Sequence, residues 1–163
     1  MKITNLKSKS LSLFAILFIV SLISACQGNE AYFRFEELKR AEWGRYDTLY
    51  YEIDSIETNK LHTVYLEVTN NVNYPYQNLW LFVQDNLIDS IFYEHKVECR
   101  LADESGKWIG AGFGSLYQSS FIYKTRVVFS DDRKNYRMKI VHGMRDELLT
   151  GIERVGVKIV KEE

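Results

Sequence analysis

The stretch SIFYEHKVECRL, Ser90–Leu101, decides the fold class. Ile91, Tyr93, His95, Val97, Cys99 and Leu101 fall on one side of a two-residue period. Glu94, Lys96, Glu98 and Arg100 fall on the other. Successive side chains of an extended chain point to opposite faces, so this alternation predicts a strand with one face on a core and one in solvent. Leu61–Thr69 repeats it, with Val64, Leu66 and Val68 set against Thr63, Tyr65 and Glu67. Phe121–Phe129 does so again, with Lys124 and Arg126 on the solvent side, and Tyr136–His142 places Tyr136, Met138 and Ile140 together.

Shorter stretches at Tyr32–Leu38, Thr48–Ile53, Lys107–Ile109 and Val155–Lys161 also read as strands. Gln77–Gln84 is almost continuously apolar, which predicts a strand covered on both faces. Turn formers separate these runs: Asn70–Pro75, Asp85-Asn86, Ser130–Asn135, and Asp103–Gly106, which fits a type I turn with Asp first and Gly last. Trp43-Gly44-Arg45 reads as a bend and Leu148–Arg154 as a connection, while Gly110, Gly112 and Gly114 mark a loop or a bulged edge. About eight strands with short turns predict an all-β, antiparallel sandwich, jelly-roll-like in first place and immunoglobulin-like in second. Aromatic residues are 14% of the chain, with 11 Tyr, a composition that suits half-buried pleated surfaces.

The amino end has a different character. Met1–Ser10 carries Lys2, Lys7 and Lys9 and no acid. An apolar run, Leu11–Ile23, follows, then Ser24-Ala25-Cys26. A charged segment, an apolar segment and then small residues are the order of a secretory signal peptide, and the run falls short of the roughly 20 residues that span a bilayer. A branched residue, Ser, Ala and Cys in succession is what lipoprotein processing requires, so Cys26 is the expected lipid attachment site. The expected division is a cleaved leader over 1–25, a lipidated tether over 26–31 and the sandwich over 32–163. Two or three acyl chains on Cys26 would hold the protein firmly, whereas a single myristoyl chain binds only marginally. Gln27 in place of Asp, as in sorted bacterial lipoproteins, points to the outer membrane, and the missing acidic cluster after Cys26 points to its periplasmic face.

The chain as a whole carries a net charge of −1, and loss of the three leader lysines makes it −4. An acidic body is a poor nucleic-acid binder, because that affinity rests on Lys and Arg meeting phosphates. Cys26 as a thioether leaves Cys99 without a disulfide partner, and its apolar neighbours at two-residue spacing make it a core residue. His62, His95 and His142 lack metal-ligand spacing, so no metal site and no cofactor is expected. The pairs Asp103-Glu104 and Asp131-Asp132 sit in turns; glycosidase chemistry would need two carboxylates facing each other about 5 to 9 Å apart. No catalytic residue is assigned. Trp80, Trp108, Tyr74, Tyr76 and Tyr117 would make a glycan-stacking platform if two of them lay side by side in the open. Arg145 and Asp146, at the end of the Tyr136–His142 strand, join Trp108 as candidate partner contacts, since Arg145 can hold a carboxylate in its planar fork.

Three stretches carry a family resemblance: NNVNYPYQNLWLFV at 70–83, LADESGKWIGAGFG at 101–114 and HGMRDELLTGIERVGVKI at 142–159. With the leader ending in Ile23-Ser24-Ala25-Cys26, the chain resembles the gliding motility-associated lipoprotein GldH family over nearly all of 26–163. The resemblance implies a cell-envelope lipoprotein of the machinery that moves certain bacteria over surfaces, linked to type IX secretion. It implies no enzymatic activity. The expected partners are the membrane, through Cys26, and other gliding or secretion proteins. The alternative is a glycan-binding lipoprotein that uses the aromatic platform.

Overall fold

The computed structural model describes residues 29–162, so the leader, Cys26 and most of the tether lie outside the described residues. Eleven strands follow in order: β1 Glu30–Glu37, β2 Glu42–Gly44, β3 Leu49–Ile53, β4 Leu61–Asn71, β5 Asn78–Asp85, β6 Tyr93–Arg100, β7 Ala111–Phe113, β8 Leu116–Val128, β9 Tyr136–His142, β10 Leu148–Thr150 and β11 Ile152–Lys161. One turn of 3₁₀ helix, Lys39–Ala41, is the sole helical element among the described residues.

The strands form a five-stranded sheet, β1-β11-β4-β8-β7, a four-stranded sheet, β3-β9-β5-β6, and a small pair, β2 with β10. Every pairing is antiparallel. With the three-residue strands β2, β7 and β10 set aside, eight strands remain, four to a sheet. The first pairs with the last, and the chain crosses between sheets as a jelly roll does. The antiparallel sandwich is therefore present, with more strands than the sequence suggested.

Most inner faces are those the alternation predicts. In Ser90–Leu101, however, the strand begins only at Tyr93, and both Ile91 and Tyr93 are exposed. Lys124, expected in solvent, turns in to the buried Asp85. Val64, Leu66 and Val68 of β4 and Val155, Val157 and Ile159 of β11 pack against Leu79, Leu81 and Val83 of β5 and Met138 and Ile140 of β9, all fully buried. Tyr51 of β3 ties the layers together, its hydroxyl donating to the carbonyl of Val155 at 2.8 Å. A hydrogen bond here answers the cost of burying the phenol, and burial pushes its pKa well above the usual phenol range.

Three local expectations are corrected. β5 is covered on one face only: Leu79, Leu81 and Val83 are buried, while Trp80 and Phe82 point outward and are partly exposed. The outward side chains are as apolar as the inward ones, so period could not separate the faces. Trp43-Gly44-Arg45 is not a simple bend, because Glu42–Gly44 is strand β2 and pairs with Leu148–Thr150, which is strand β10 within the presumed connection. Both strands are too short to show a period. They close one end of the sandwich over Trp43, which is wholly buried, donates Nε1–H to the carbonyl of Asp47 at 2.8 Å and meets His142 edge-on. Lys107–Ile109 makes a single bridge, Ala102 to Trp108, in place of a strand.

The sandwich has two unlike ends. At one, Asn29 lies beside the end of β11, its carbonyl accepting from the Lys161 N–H, while the Leu61 carbonyl accepts from the Glu162 N–H and Leu61 pairs with Val128. The loops 54–60, 86–92 and 129–135 belong to this end, joined by Asn59 to Phe129 and by Arg133 and Asn135 to Asn86. The other end carries β2, β10 and the loops 72–77, 101–110 and 143–147. All three stretches that carry the resemblance pass through this far end.

Candidate functional site

A groove of about 370 Å³ lies at the far end, on the outer face of the four-stranded sheet. Its lining includes Tyr76, Trp80, Lys96, Met144, Arg145 and Asp146. The turn 72–77 delivers Tyr76. The loop after β9 delivers the other wall and begins at Gly143, whose N–H donates to the Trp80 carbonyl at 2.6 Å. A Cβ on Gly143 would stand 3.0 Å from the Phe82 ring and 3.3 Å from Trp80 Cβ, so this loop lies flat on the sheet only because the side chain is missing.

The groove is held by specific contacts. The Tyr76 hydroxyl donates to Asp146, at 2.9 Å from Oδ2 and 3.1 Å from Oδ1, and this bond raises the Tyr76 pKa. Met144 Sδ accepts from the Trp80 N–H at 3.4 Å. Lys96 Nζ stands 4.3 Å from the Trp80 ring centroid, a cation–π contact. Arg145 is exposed at the rim. Trp, Tyr and Arg are the residue types that dominate protein–protein hot spots.

Of the predicted site residues, Arg145 and Asp146 come together here with Trp80 and Tyr76. Trp108 does not join them. It packs between Tyr74 and Tyr117, with ring centroids 6.4 and 5.9 Å away, and leans on the core. Trp80 therefore does not pack against Trp108, which lies beside Tyr117 instead, and Lys96 lies over one face of the Trp80 ring. Lys96 was not foreseen, because on an alternating strand its position reads as solvent. Cys26 lies outside the described residues.

The remaining polar clusters are internally occupied. Asp103 accepts from the N–H groups of Ser105 and Lys107 and from the Ser105 hydroxyl, bonds that lower its pKa and fix the predicted turn. A cleft of about 530 Å³ near the chain ends holds both Asp54 and Asp131, but the Asp131 oxygens accept from Thr58 and Asn59. A trough of about 620 Å³ crosses the outer face of the five-stranded sheet over Glu67. Glu67 is 1% exposed and is satisfied by Lys158 at 2.6 Å, Ser120 at 2.7 Å and Gln118 at 3.2 Å. Sequence reasoning placed Glu67 in solvent, and no local pattern marks it otherwise. No group of three metal-ligating side chains occurs among the described residues, and none of their helices is long and apolar enough to cross a membrane.

Fold and groove together define a jelly-roll-type β-sandwich with a polar-aromatic groove at the end away from Asn29. The sequence profile of the GldH lipoprotein family matches residues 30–159, and the chain belongs to that family. It is similar to the "Gliding motility lipoprotein GldH homolog" of Christiangramia forsetii, 28% identical over 93% of this chain and 96% of that one. It is also similar to the "Gliding motility lipoprotein GldH" of Flavobacterium johnsoniae, 23% identical over 91% and 95%. Among solved structures, a fructofuranosidase from Schwanniomyces occidentalis matches with a TM-score of 0.37 and 9% identity, over 85% of this chain and 35% of that one. The tobacco streak virus coat protein matches with a TM-score of 0.30 and 9% identity, over 83% and 88%. At those scores neither likeness bears on fold or function. The family makes this chain a gliding motility lipoprotein of the cell envelope, associated with membrane.

Proposed function

We propose that the protein is a non-enzymatic component of the gliding machinery, associated with type IX secretion, and that it works by protein–protein contact through its far end. Residues 1–25 are removed, Cys26 is acylated, and the sandwich sits on the periplasmic face of the outer membrane. The observation that carries this reading is the groove of Tyr76, Trp80, Arg145 and Asp146 at the end opposite Asn29. A domain anchored near its amino end presents that opposite end to the periplasm. The glycan-binding alternative would have to use Trp108 and Tyr117, whose ring centroids lie 5.9 Å apart, without Trp80.

The test is replacement in the native bacterium. Cys26→Ala is expected to leave the membrane fraction. Trp80→Ala with Arg145→Glu is expected to remain anchored at normal abundance, yet lose surface spreading and co-purifying envelope proteins. Full spreading by an anchored double variant would count against the far-end groove.

A further inference from the structure

The loop between β5 and β6, residues 86–92, exposes aliphatic side chains that the fold holds in place. Ile88 is 70% exposed and Ile91 is 61% exposed. Neither results from a loose loop. Leu87 between β5 and Ile88 is wholly buried, and its N–H donates to Asp85 at 3.0 Å. The Asp89 carboxylate accepts from the Ile91 N–H at 2.8 Å and from the Tyr93 hydroxyl at 3.2 Å. The turn is thus pinned from inside and from its own side chain, with Ile88 and Ile91 turned out. Ile88 shares a groove of about 380 Å³ with Val128, which is half exposed at the end of β8. Val128 in turn pairs with Leu61, beside the described ends of the chain.

Where the chain enters the fold selects the occupant. Three peptide units separate Cys26 from Asn29, which at about 3.3 to 3.6 Å each reach roughly 11 Å at most. That keeps this end within touching range of the headgroups of any leaflet that holds the acyl chains. We infer that Ile88, Ile91 and Val128 form a second membrane contact, which seats the anchored end in the lipid surface and stands the far-end groove away from it. This rests on the reading of Cys26 as the lipid attachment site. The contact is apolar in character. Several acids of this end are already bound, Glu57 to Lys161, Glu162 to Thr63 and Asp131 to Thr58 and Asn59. Exposed Lys60 and Lys134 suit headgroup phosphates, but the end is not basic overall, so burial of the isoleucines, and not charge, drives the contact.

The test uses the full chain, expressed and processed as a lipoprotein and reconstituted in phosphatidylethanolamine–phosphatidylglycerol vesicles. A photo-cross-linking amino acid is placed at exposed Ser90, and a control probe at exposed Arg145. The expected result is lipid adducts from position 90 and none from position 145. Ile88→Asn with Ile91→Asn alters exposed side chains, so the fold is retained by circular dichroism and flotation with vesicles is unchanged, but the lipid adducts at 90 are lost. Equal lipid labelling at both positions, adducts to a second copy of the chain at 90, or labelling that survives the double substitution would each overturn the inference. A chain with intact Cys26 that fails to float would overturn the anchor itself, and the contact with it.

Discussion

Gly151 is the position where one added methyl group should do most damage. It joins β10 to β11 with φ at +90°, and a Cβ there would stand 2.5 Å from both the N and the Cα of Tyr74. Its N–H donates to Ala41 at 2.8 Å and its carbonyl accepts from the Asn71 N–H at 2.9 Å, so the backbone cannot simply rotate away. Holding an alanine in a left-handed conformation costs about 1–2 kcal/mol. The overlap falls on backbone atoms, which no rotamer change relieves, and overpacking of that kind adds about 1–3 kcal/mol. Gly151→Ala is therefore expected to lose about 2–5 kcal/mol, and at about 4 °C per kcal/mol for a domain of this size to lower Tm by roughly 8–20 °C. Gly114→Ala separates the two contributions. Gly114 has φ at +63° with nothing within 4 Å of the added Cβ, so it carries the conformational cost without the overlap. Urea unfolding followed by tryptophan fluorescence should place Gly151→Ala at least about 1 kcal/mol below Gly114→Ala. Equal costs at the two positions would refute the close approach of the 72–77 turn to Gly151, and with it the placement of Tyr76.

Other expectations concern buried polar groups. Asp85 is 1% exposed, and both its oxygens lie 2.7 Å from Lys124 Nζ, with Tyr123 as a further donor. Lys124→Met should destabilise by about 3–5 kcal/mol because it strands the carboxylate, while Lys124→Met with Asp85→Leu should recover much of the loss; a double-mutant cycle showing no coupling would contradict this. His142 is buried, and burial lowers its pKa below the usual value of about 6.5. The unfolded chain then binds the proton more readily, so this contribution is intact above about pH 6.5 and is lost as pH falls through that value towards the lowered folded one. The stability of the parent relative to His142→Phe should fall as pH drops below about 6.5, and parallel curves would count against a buried neutral ring. Burial, reinforced by Glu98, pushes the Cys99 thiol up to about 12, so Ellman's reagent at pH 8 should leave it untouched in the folded chain and modify it in urea.

Much of the architecture is legible because half-covered strands announce themselves by period. Val64, Leu66 and Val68 lie inward as their spacing says, and Cys99 is a core residue. What was illegible has physical causes. Trp80 and Phe82 are apolar yet outward, so Gln77–Gln84 carries no period by which to tell one covered face from two. β2 and β10 are three residues each, shorter than any periodic signal. Glu67 and Lys96 occupy solvent-side positions on alternating strands, and only the neighbouring strands decide that one is buried and the other lies over an indole. Arg145 and Asp146 were readable as a polar constellation, but their meeting with Tyr76 depends on the pairing of distant segments, as does the separation of Trp108 from Trp80.

The central claim is that the far end of an anchored sandwich meets the partner. It is tested most directly by a photo-cross-linking amino acid at Arg145 in intact cells of the native bacterium, with a matched probe at exposed Asp54 near the other end. The account predicts discrete adducts to envelope proteins from position 145, lost on Trp80→Ala, and none of the same species from position 54. Protein adducts from position 54 and none from 145 would contradict it.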